Sequence, residues 1–184
     1  MTVEAPAAIR IRSALPSDLE ACATLDHSTN TDYVWQMEHS DLDGTLNVAF
    51  RTARLPRTMR LRYPRSGAAL QLSWDIDACF LVAERDLEIV GYVNMHERRA
   101  YGTGWVTDLV VDPNWRRRGV GTSLFNGAWA WARERELARV IVETTTKNYP
   151  AIRFLQKAGL AFCGYNDLYY PNHDIALFFG QGLR

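Results

Sequence analysis

Ile9 to Ser13 switches between apolar and basic residues, as a half-buried strand does. Pro16-Ser17-Asp18-Leu19-Glu20 then carries a helix-start pattern, in which Ser17 caps and Glu20 reaches back. Leu19, Cys22, Ala23 and Leu25 extend its apolar face to about His27. Asp32 to His39 predicts a second short helix. Leu46 to Leu61 reads as extended, with Pro56 marking an edge or a bend. Ala78 to Glu84 and Ile89 to Glu97 predict two strands around a tight turn at Arg85-Asp86-Leu87-Glu88. After them come a strand at Trp105 to Asp112, a helix at Thr122 to Glu136, a strand at Val140 to Thr144, and a helix at Ala151 to Ala158 ended by Gly159. Leu160 to Tyr170 and Asp174 to Gly180 close the sheet. The order is a β-meander followed by β-α-β-α-β-β, which predicts a mixed α/β sheet.

Between the strand at Trp105–Asp112 and the helix from Thr122 lies Arg116-Arg117-Arg118-Gly119-Val120-Gly121. A helix leaves its first N–H groups without internal partners, and its dipole adds partial positive charge there, so an anion at that end satisfies both. Gly119 and Gly121 let the backbone approach a phosphate and turn through positive φ. The arginines add charge and bidentate donors, and Thr122 and Ser123 add hydroxyls. The dinucleotide fingerprint is not met, because Thr122-Ser123-Leu124 supplies no third glycine. The nucleotide-triphosphate loop fails as well, because no lysine follows Gly121.

The chain has 184 residues, enough for one domain with a sizeable core, and its formal net charge is zero. Zero charge gives no global attraction to nucleic acid or to an anionic membrane. No apolar run approaches the roughly 20 residues that span a bilayer. Met1 to Ala8 shows no signal-peptide pattern. Cys22, Cys79 and Cys163 are scattered without C-x-x-C spacing and read as reduced thiols, hence a cytoplasmic protein. The four histidines, at 27, 39, 96 and 173, have no metal-ligand spacing. Arg51, Arg54, Arg57, Arg60, Arg62 and Arg65 read as a solvated edge that discourages aggregation, or as a patch for an acidic partner or for phosphates.

Arg116-x-x-Gly119-x-Gly121, in its strand–loop–helix setting, resembles motif A of the GNAT (Gcn5-related) N-acetyltransferase superfamily, where the loop binds the pyrophosphate of acetyl-CoA. Asn148-Tyr149-Pro150-Ala151 through Gly159-Leu160 resembles the family's motif B, with Asn148 at the position that commonly meets the pantetheine arm or a bound water. The C-terminal half is similar to streptothricin acetyltransferases at Val106–Asp112, Glu143-Thr144, Gly164–Tyr169 and Asp174–Phe179.

The resemblance implies one GNAT domain over residues 1–184, core about 9–183. It implies a mixed sheet of about seven strands flanked by helices, whose fourth and fifth strands splay to admit pantetheine. Leu109, Val110 and Val111 would then pair with the pantetheine amides, and the Val110 N–H would hold the thioester carbonyl. Arg116, Arg117, Arg118, Gly119, Val120, Gly121, Thr122 and Asn148 complete the acetyl-CoA site, with no metal.

The acceptor must be a neutral amine, and a lysine-like ammonium with a pKa of about 10.4 has to lose a proton first. Glu143 is the first choice for the base and Asp108 the second. Either carboxylate also suits a cationic substrate or an ordinary strand position. Leu155 occupies the place of the family's usual tyrosine acid. Tyr165, Tyr169 and Tyr170 are replacements, of which Tyr165 is the catalytic choice, and a thiol with a pKa of about 8.5 also leaves readily as thiolate.

Trp129 and Trp131 read as core. Trp35, Trp74 and Trp105, with Asp32, Glu38, Asp75 and Asp77, are available to line an acceptor pocket. The expected reaction is acetyl transfer to a primary amine of a streptothricin-like antibiotic or polyamine. A protein or peptide amine and a non-catalytic acyl-CoA-binding module stand as alternatives. Neither nucleic acid nor membrane is expected as a partner, and a homodimer is left open.

Overall fold

The computed structural model describes residues 8–64, 70 and 78–183. Its strands are β1 Arg10–Ser13, β2 Thr29–Leu42, β3 Thr45–Leu61, β4 Cys79–Arg85, β5 Glu88–Arg98, β6 Thr103–Val111, β7 Arg139–Thr145, β8 Ala161–Asn166 and β9 Ala176–Gly182. Its α-helices are α1 Leu19–Thr24, α2 Val120–Glu134 and α3 Tyr149–Lys157. Seven strands form one mixed sheet in the order β1-β4-β5-β6-β7-β9-β8, and β2 with β3 makes a separate two-stranded ribbon. The described residues gather in two compact units: 8–27, 70, 78–143 and 180–183 in the first, 28–64 and 144–179 in the second.

In the first unit β1, β4, β5 and β6 pair antiparallel in turn, while β6 and β7 run parallel and are joined through α2. A parallel pair needs such a crossover, because a tight turn cannot reverse the chain and leave both strands pointing the same way. Asp86 and Leu87, at φ 49° and 67°, form the two-residue turn between β4 and β5, a conformation matched to strand twist. Val82, Val93, Val106 and Leu124 are buried in the core. Gly127 lets α2 lie close to the sheet, since a Cβ there would meet Leu81 at 2.8 Å.

Arg12 on β1 fastens this edge. Its guanidinium donates to Asp18 at 2.6 Å and to Glu84 at 2.6 Å, and it holds the Asp18 carboxyl below its ordinary range. Asp18 also accepts from the Leu15 N–H at 2.7 Å. The helix-start pattern is therefore satisfied by Asp18 reaching back to Leu15 rather than by Ser17 with Glu20. A charged acceptor already held by Arg12 wins this place. Burial pushes the Cys22 and Cys79 thiols up to about 12, which leaves them unreactive at neutral pH.

His27 is half-buried, with its Nε2 3.0 Å from the Tyr92 hydroxyl. Burial lowers its pKa from 6.5, opposed by the Leu25 backbone and by the Asp108 charge. The unfolded chain then binds a proton that the folded chain refuses, so stability is complete above about pH 6.5 and falls as pH drops from there through the lowered folded value. Thermal melts from about pH 7 to about pH 5 should show this loss in the wild type and a smaller one in His27→Gln. Equal loss in both would assign the acid sensitivity to other groups.

In the second unit Asp32 to His39 is strand, not the helix that the sequence predicts. Its apolar positions suit either period over so short a run, and cross-strand pairing decides. β2 runs in register with β3 from Tyr33↔Arg54 to Leu42↔Thr45, through a turn at Asp43-Gly44 with φ 51° and 74°. The Trp35 N–H donates to Thr146 O at 2.8 Å, and its ring meets Phe50, Phe162 and Phe179 at 5.8–6.2 Å. The β3 arginines at 51, 54, 57 and 60 are exposed. Arg51 pairs with Glu38 at 2.9 Å and Arg60 donates to Ser28 at 3.0 Å. Arg65, Trp74, Asp75 and Asp77 lie outside the described residues.

Candidate active site

The parallel pairing of β6 and β7 covers only Thr103↔Arg139 to Val106↔Val142, and β6 continues to Val111. The two strands, fourth and fifth in spatial order from β1, thus pair at one end and separate at the other. Where pairing ends, β6 carries a bulge. Met95 opposes Val106 and Asn94 opposes Asp108, which leaves Thr107 as the extra residue. A bulge adds one residue to one strand, bends it, and re-aims the side chains beside it.

The main-chain phase beyond the bulge follows from two hydrogen bonds. The Asp112 N–H donates to Val90 O at 2.9 Å, so the residues bonded to β5 are Asp112 and, two back along the ladder, Val110. Leu109 and Val111 turn their N–H and C=O groups the other way, into the gap. The Arg116 Nε donates to Val111 O at 2.8 Å from that side, which agrees. The expectation that Val110 presents its N–H to the gap is therefore corrected: Val110 faces β5, and Leu109 and Val111 face the gap. Sequence alone does not set this phase, because the bulge at Thr107 shifts it by one residue.

The strand then runs into the basic loop. Asp112 accepts from the Asn114 N–H at 2.9 Å and caps a 3-10 turn at Pro113–Trp115. Arg117 at φ 64° and Gly119 at φ 87° reverse the chain, and α2 begins at Val120. A Cβ on Gly119 would find no atom within 4 Å, so the glycine serves the backbone turn and leaves open space before the helix. The first N–H groups of α2, from Val120, Gly121 and Thr122, precede any internal partner. Arg117 and Arg118 are exposed, and the Arg118 guanidinium lies 5.1 Å from the Trp115 ring centre. Arg116 is turned inward onto Val111 O and onto Asp26 O at 3.2 Å, with its pKa drawn down by burial. It braces the strand end instead of reaching into solvent.

Glu143 is the first β7 residue past the paired stretch, and it is 7% exposed. It accepts from the Trp105 indole N–H at 2.6 Å. Asp108, 3% exposed, lies just beyond the bulge and accepts from the Thr107 hydroxyl at 2.8 Å. Both carboxylates thus stand where the strands part. Trp105 was expected only as pocket lining, and its role as donor to Glu143 has no signature in spacing. The Arg98 guanidinium covers the indole 4.0 Å from its centre.

The remaining candidates lie in the second unit. Asn148 caps α3, accepting from the Ala151 N–H at 3.2 Å. Leu155 is buried in the packed face of α3. Tyr165 on β8 is half-buried with its ring 5.6 Å from Phe50, a packing position. Tyr169 meets Tyr170 and Phe178. Asp32 accepts from Thr58 at 2.6 Å, and Asp174 pairs with Lys147. Among the described residues no group of three or more His, Cys, Asp or Glu is arranged to hold a metal, and no helix is long and apolar enough to cross a membrane.

A strand pair thus opens beside buried carboxylates and runs into a glycine-arginine helix start, and it is this arrangement that the comparisons with known proteins bear on. The acetyltransferase (GNAT) family model matches residues 47–160. The chain belongs to the GNAT family and is an N-acetyltransferase, of a family that uses acetyl-CoA. It is 28% identical over 175 residues to streptothricin acetyltransferase of Streptomyces lavendulae, covering 92% of this chain and 90% of that protein. The structure of nourseothricin acetyltransferase superposes with a TM-score of 0.83 at 26% identity, covering 96% of this chain and 99% of that one. A Bacillus anthracis protein assigned as a streptothricin acetyltransferase, solved with acetyl coenzyme A, shares the fold at TM-score 0.75 and 20% identity, covering 96% of this chain and 100% of that one.

Proposed function

We propose that this chain transfers the acetyl group of acetyl-CoA to a primary amine of a streptothricin-like antibiotic. The observation that carries the donor half is the edge of β6, where Leu109 and Val111 turn their main-chain groups into the gap and lead directly to Gly119. Both features suit an extended amide chain that ends in a pyrophosphate. The Leu109 C=O and the Val111 N–H would bond the pantetheine amides. The N–H groups of Val120, Gly121 and Thr122, with Arg117 and Arg118, would hold the pyrophosphate. Acetyl-CoA supplies the electrophilic thioester carbonyl and a thiolate leaving group.

Glu143 takes one proton from the ammonium, leaving the neutral amine to attack. The new C–N bond forms as the C–S bond breaks. The nitrogen loses its second proton, and the thiolate takes one up. The Leu109 N–H stands nearest in phase to stabilise the carbonyl oxygen as it gains charge. With Leu155 buried at the usual tyrosine position, no dedicated acid is assigned, because the thiol pKa of about 8.5 makes thiolate a tolerable leaving group.

The acceptor half rests on similarity along nearly the whole chain to streptothricin acetyltransferase. A peptide amine is the second reading. It is favoured by 26% identity over 52% of this chain to a Bacillus subtilis protein assigned as a ribosomal protein bS18-alanine N-acetyltransferase. Thiol release from acetyl-CoA, measured with streptothricin and with an alanine-starting peptide as competing acceptors, separates the two. The antibiotic should be consumed with the higher kcat/KM. Preference for the peptide would replace the first reading with the second, and acetyl-CoA binding without thiol release toward either would defeat both.

A further inference from the structure

We propose that Arg85 and Trp115 extend the donor site to the turn between β4 and β5: Trp115 is the positioning residue of Arg118, and Arg85 adds a second cation beside it for a phosphate of acetyl-CoA. The proposal rests on the reading of the Gly119 loop as the phosphate site and goes beyond it.

Four observations carry it. The Arg118 guanidinium lies over the Trp115 ring, 5.1 Å from its centre, and the Arg85 guanidinium lies over the same ring at 4.5 Å. Trp115 is itself fixed, because its N–H donates to Asp112 O at 2.8 Å and the Asp112 N–H donates to Val90 O on β5 at 2.9 Å. Among the described residues the exposed Arg118 has the Trp115 ring as its contact and no ion-pair partner. The Arg85 Nε is buried, and among the described residues it makes no hydrogen bond, although the exposed Asp86 carboxylate lies 3.4 Å away.

The physical consequence has two parts. The electron-rich face of an indole attracts a cation, so Trp115 orders the long Arg118 side chain before a ligand arrives. Less freedom is then lost on binding than from an arm that waits in solvent. The single ring also holds the two guanidiniums within about 10 Å of each other, no more than a Debye length at ordinary ionic strength, so they repel. A phosphate beside both relieves that repulsion and gives the guanidinium donors an acceptor. Asp86 beside Arg85, and Glu88 opposite it in the ladder, reduce the local positive charge. Arg117, exposed on the same loop as Arg118, adds to it, while Arg116 is turned inward.

Acetyl-CoA carries a pyrophosphate and a separate phosphate on its ribose, and either offers the same chemistry to this pair. Calorimetric titration with acetyl-CoA should show Kd raised about ten-fold in Trp115→Leu and by somewhat less in Arg85→Gln. In both variants log Kd should depend less steeply on log salt, because a charge contact has been loosened or removed. Trp115→Phe keeps an aromatic face and should recover most of the affinity. Arg85→Gln leaves Trp115 in place and so reads the pair even where Trp115→Leu folds poorly. The same titrations with acetyl-dephospho-CoA, which lacks the ribose phosphate, name the group held. An equal loss there assigns the pair to the pyrophosphate, and a vanished loss assigns it to the ribose phosphate.

Wild-type affinity in both Trp115→Leu and Arg85→Gln overturns the proposal. So does weaker binding with an unchanged salt slope, because a distorted loop lowers affinity without removing a charge contact. Gly119→Val keeps the two failures apart. Unchanged acetyl-CoA affinity in that variant removes the reading of the loop itself. Weakened affinity there, with wild-type behaviour in the Trp115 and Arg85 variants, removes only the roles given to Trp115 and Arg85.

Discussion

Glu143→Gln is expected to lower kcat/KM for the amine by about 10²- to 10⁴-fold at neutral pH, the usual range for loss of a positioned base. The substitution keeps the shape of the side chain, and the amide oxygen still accepts from Trp105. What it removes is the site that takes the ammonium proton. The defect should shrink as pH rises toward the amine pKa of about 10.4, because free amine is then supplied by the solvent. KM for acetyl-CoA should not change, since the proposed donor site lies on the β6 edge and the start of α2. Unchanged turnover at neutral pH would reject Glu143 as base. The buried Asp108, on the far side of the bulge, would then be tested by the same replacement, Asp108→Asn.

Gly119→Val should weaken acetyl-CoA binding by about 2–4 kcal/mol, or roughly 30- to 1,000-fold in Kd. Two effects add. Gly119 has φ 87°, where a β-branched residue is strained and the loop must rearrange. The space before the residue is open, so an isopropyl group would occupy the place where the pyrophosphate is expected. Gly119→Asn distinguishes these effects, because asparagine tolerates the left-handed region and fills less space beside the helix start. It should lose less affinity than valine. Calorimetric titration with acetyl-CoA reads both variants, and wild-type affinity in the valine variant would move the pyrophosphate away from this loop.

The strand–loop–helix setting around Gly119 was legible in the chain because it depends on local rules. Gly119 and Gly121 between a strand and a helix imply open backbone N–H groups, and the structure turns the chain at Gly119 as that reading requires. The β-meander and the later β-α-β order were legible from apolar periodicity. What failed depended on partners distant in sequence. Asp32 to His39 carries an ambiguous pattern, and only its ladder with β3 and the packing of Trp35 on Phe50, Phe162 and Phe179 make it strand. Ser17 matched the local rule for a cap, yet Asp18 took that place once Arg12 and Glu84 were brought beside it.

The site shows the same division. The three arginines look alike in sequence, but Arg116 is turned onto the Val111 and Asp26 carbonyls while Arg117 and Arg118 stay exposed. The identity of the main-chain groups in the gap depended on a single extra residue at Thr107, which exchanges Val110 for its neighbours Leu109 and Val111. A bulge has no reliable mark in one sequence. Neither does the bond between Trp105 and Glu143, whose partners are 38 residues apart.

The most direct test of the account is mass spectrometry of streptothricin incubated with this protein and acetyl-CoA carrying an isotopic label in its acetyl group. The account predicts one labelled acetyl group on an amine nitrogen of the antibiotic, formed in step with release of free CoA thiol. Unmodified antibiotic in the presence of bound acetyl-CoA, or label on a hydroxyl instead of a nitrogen, would contradict it.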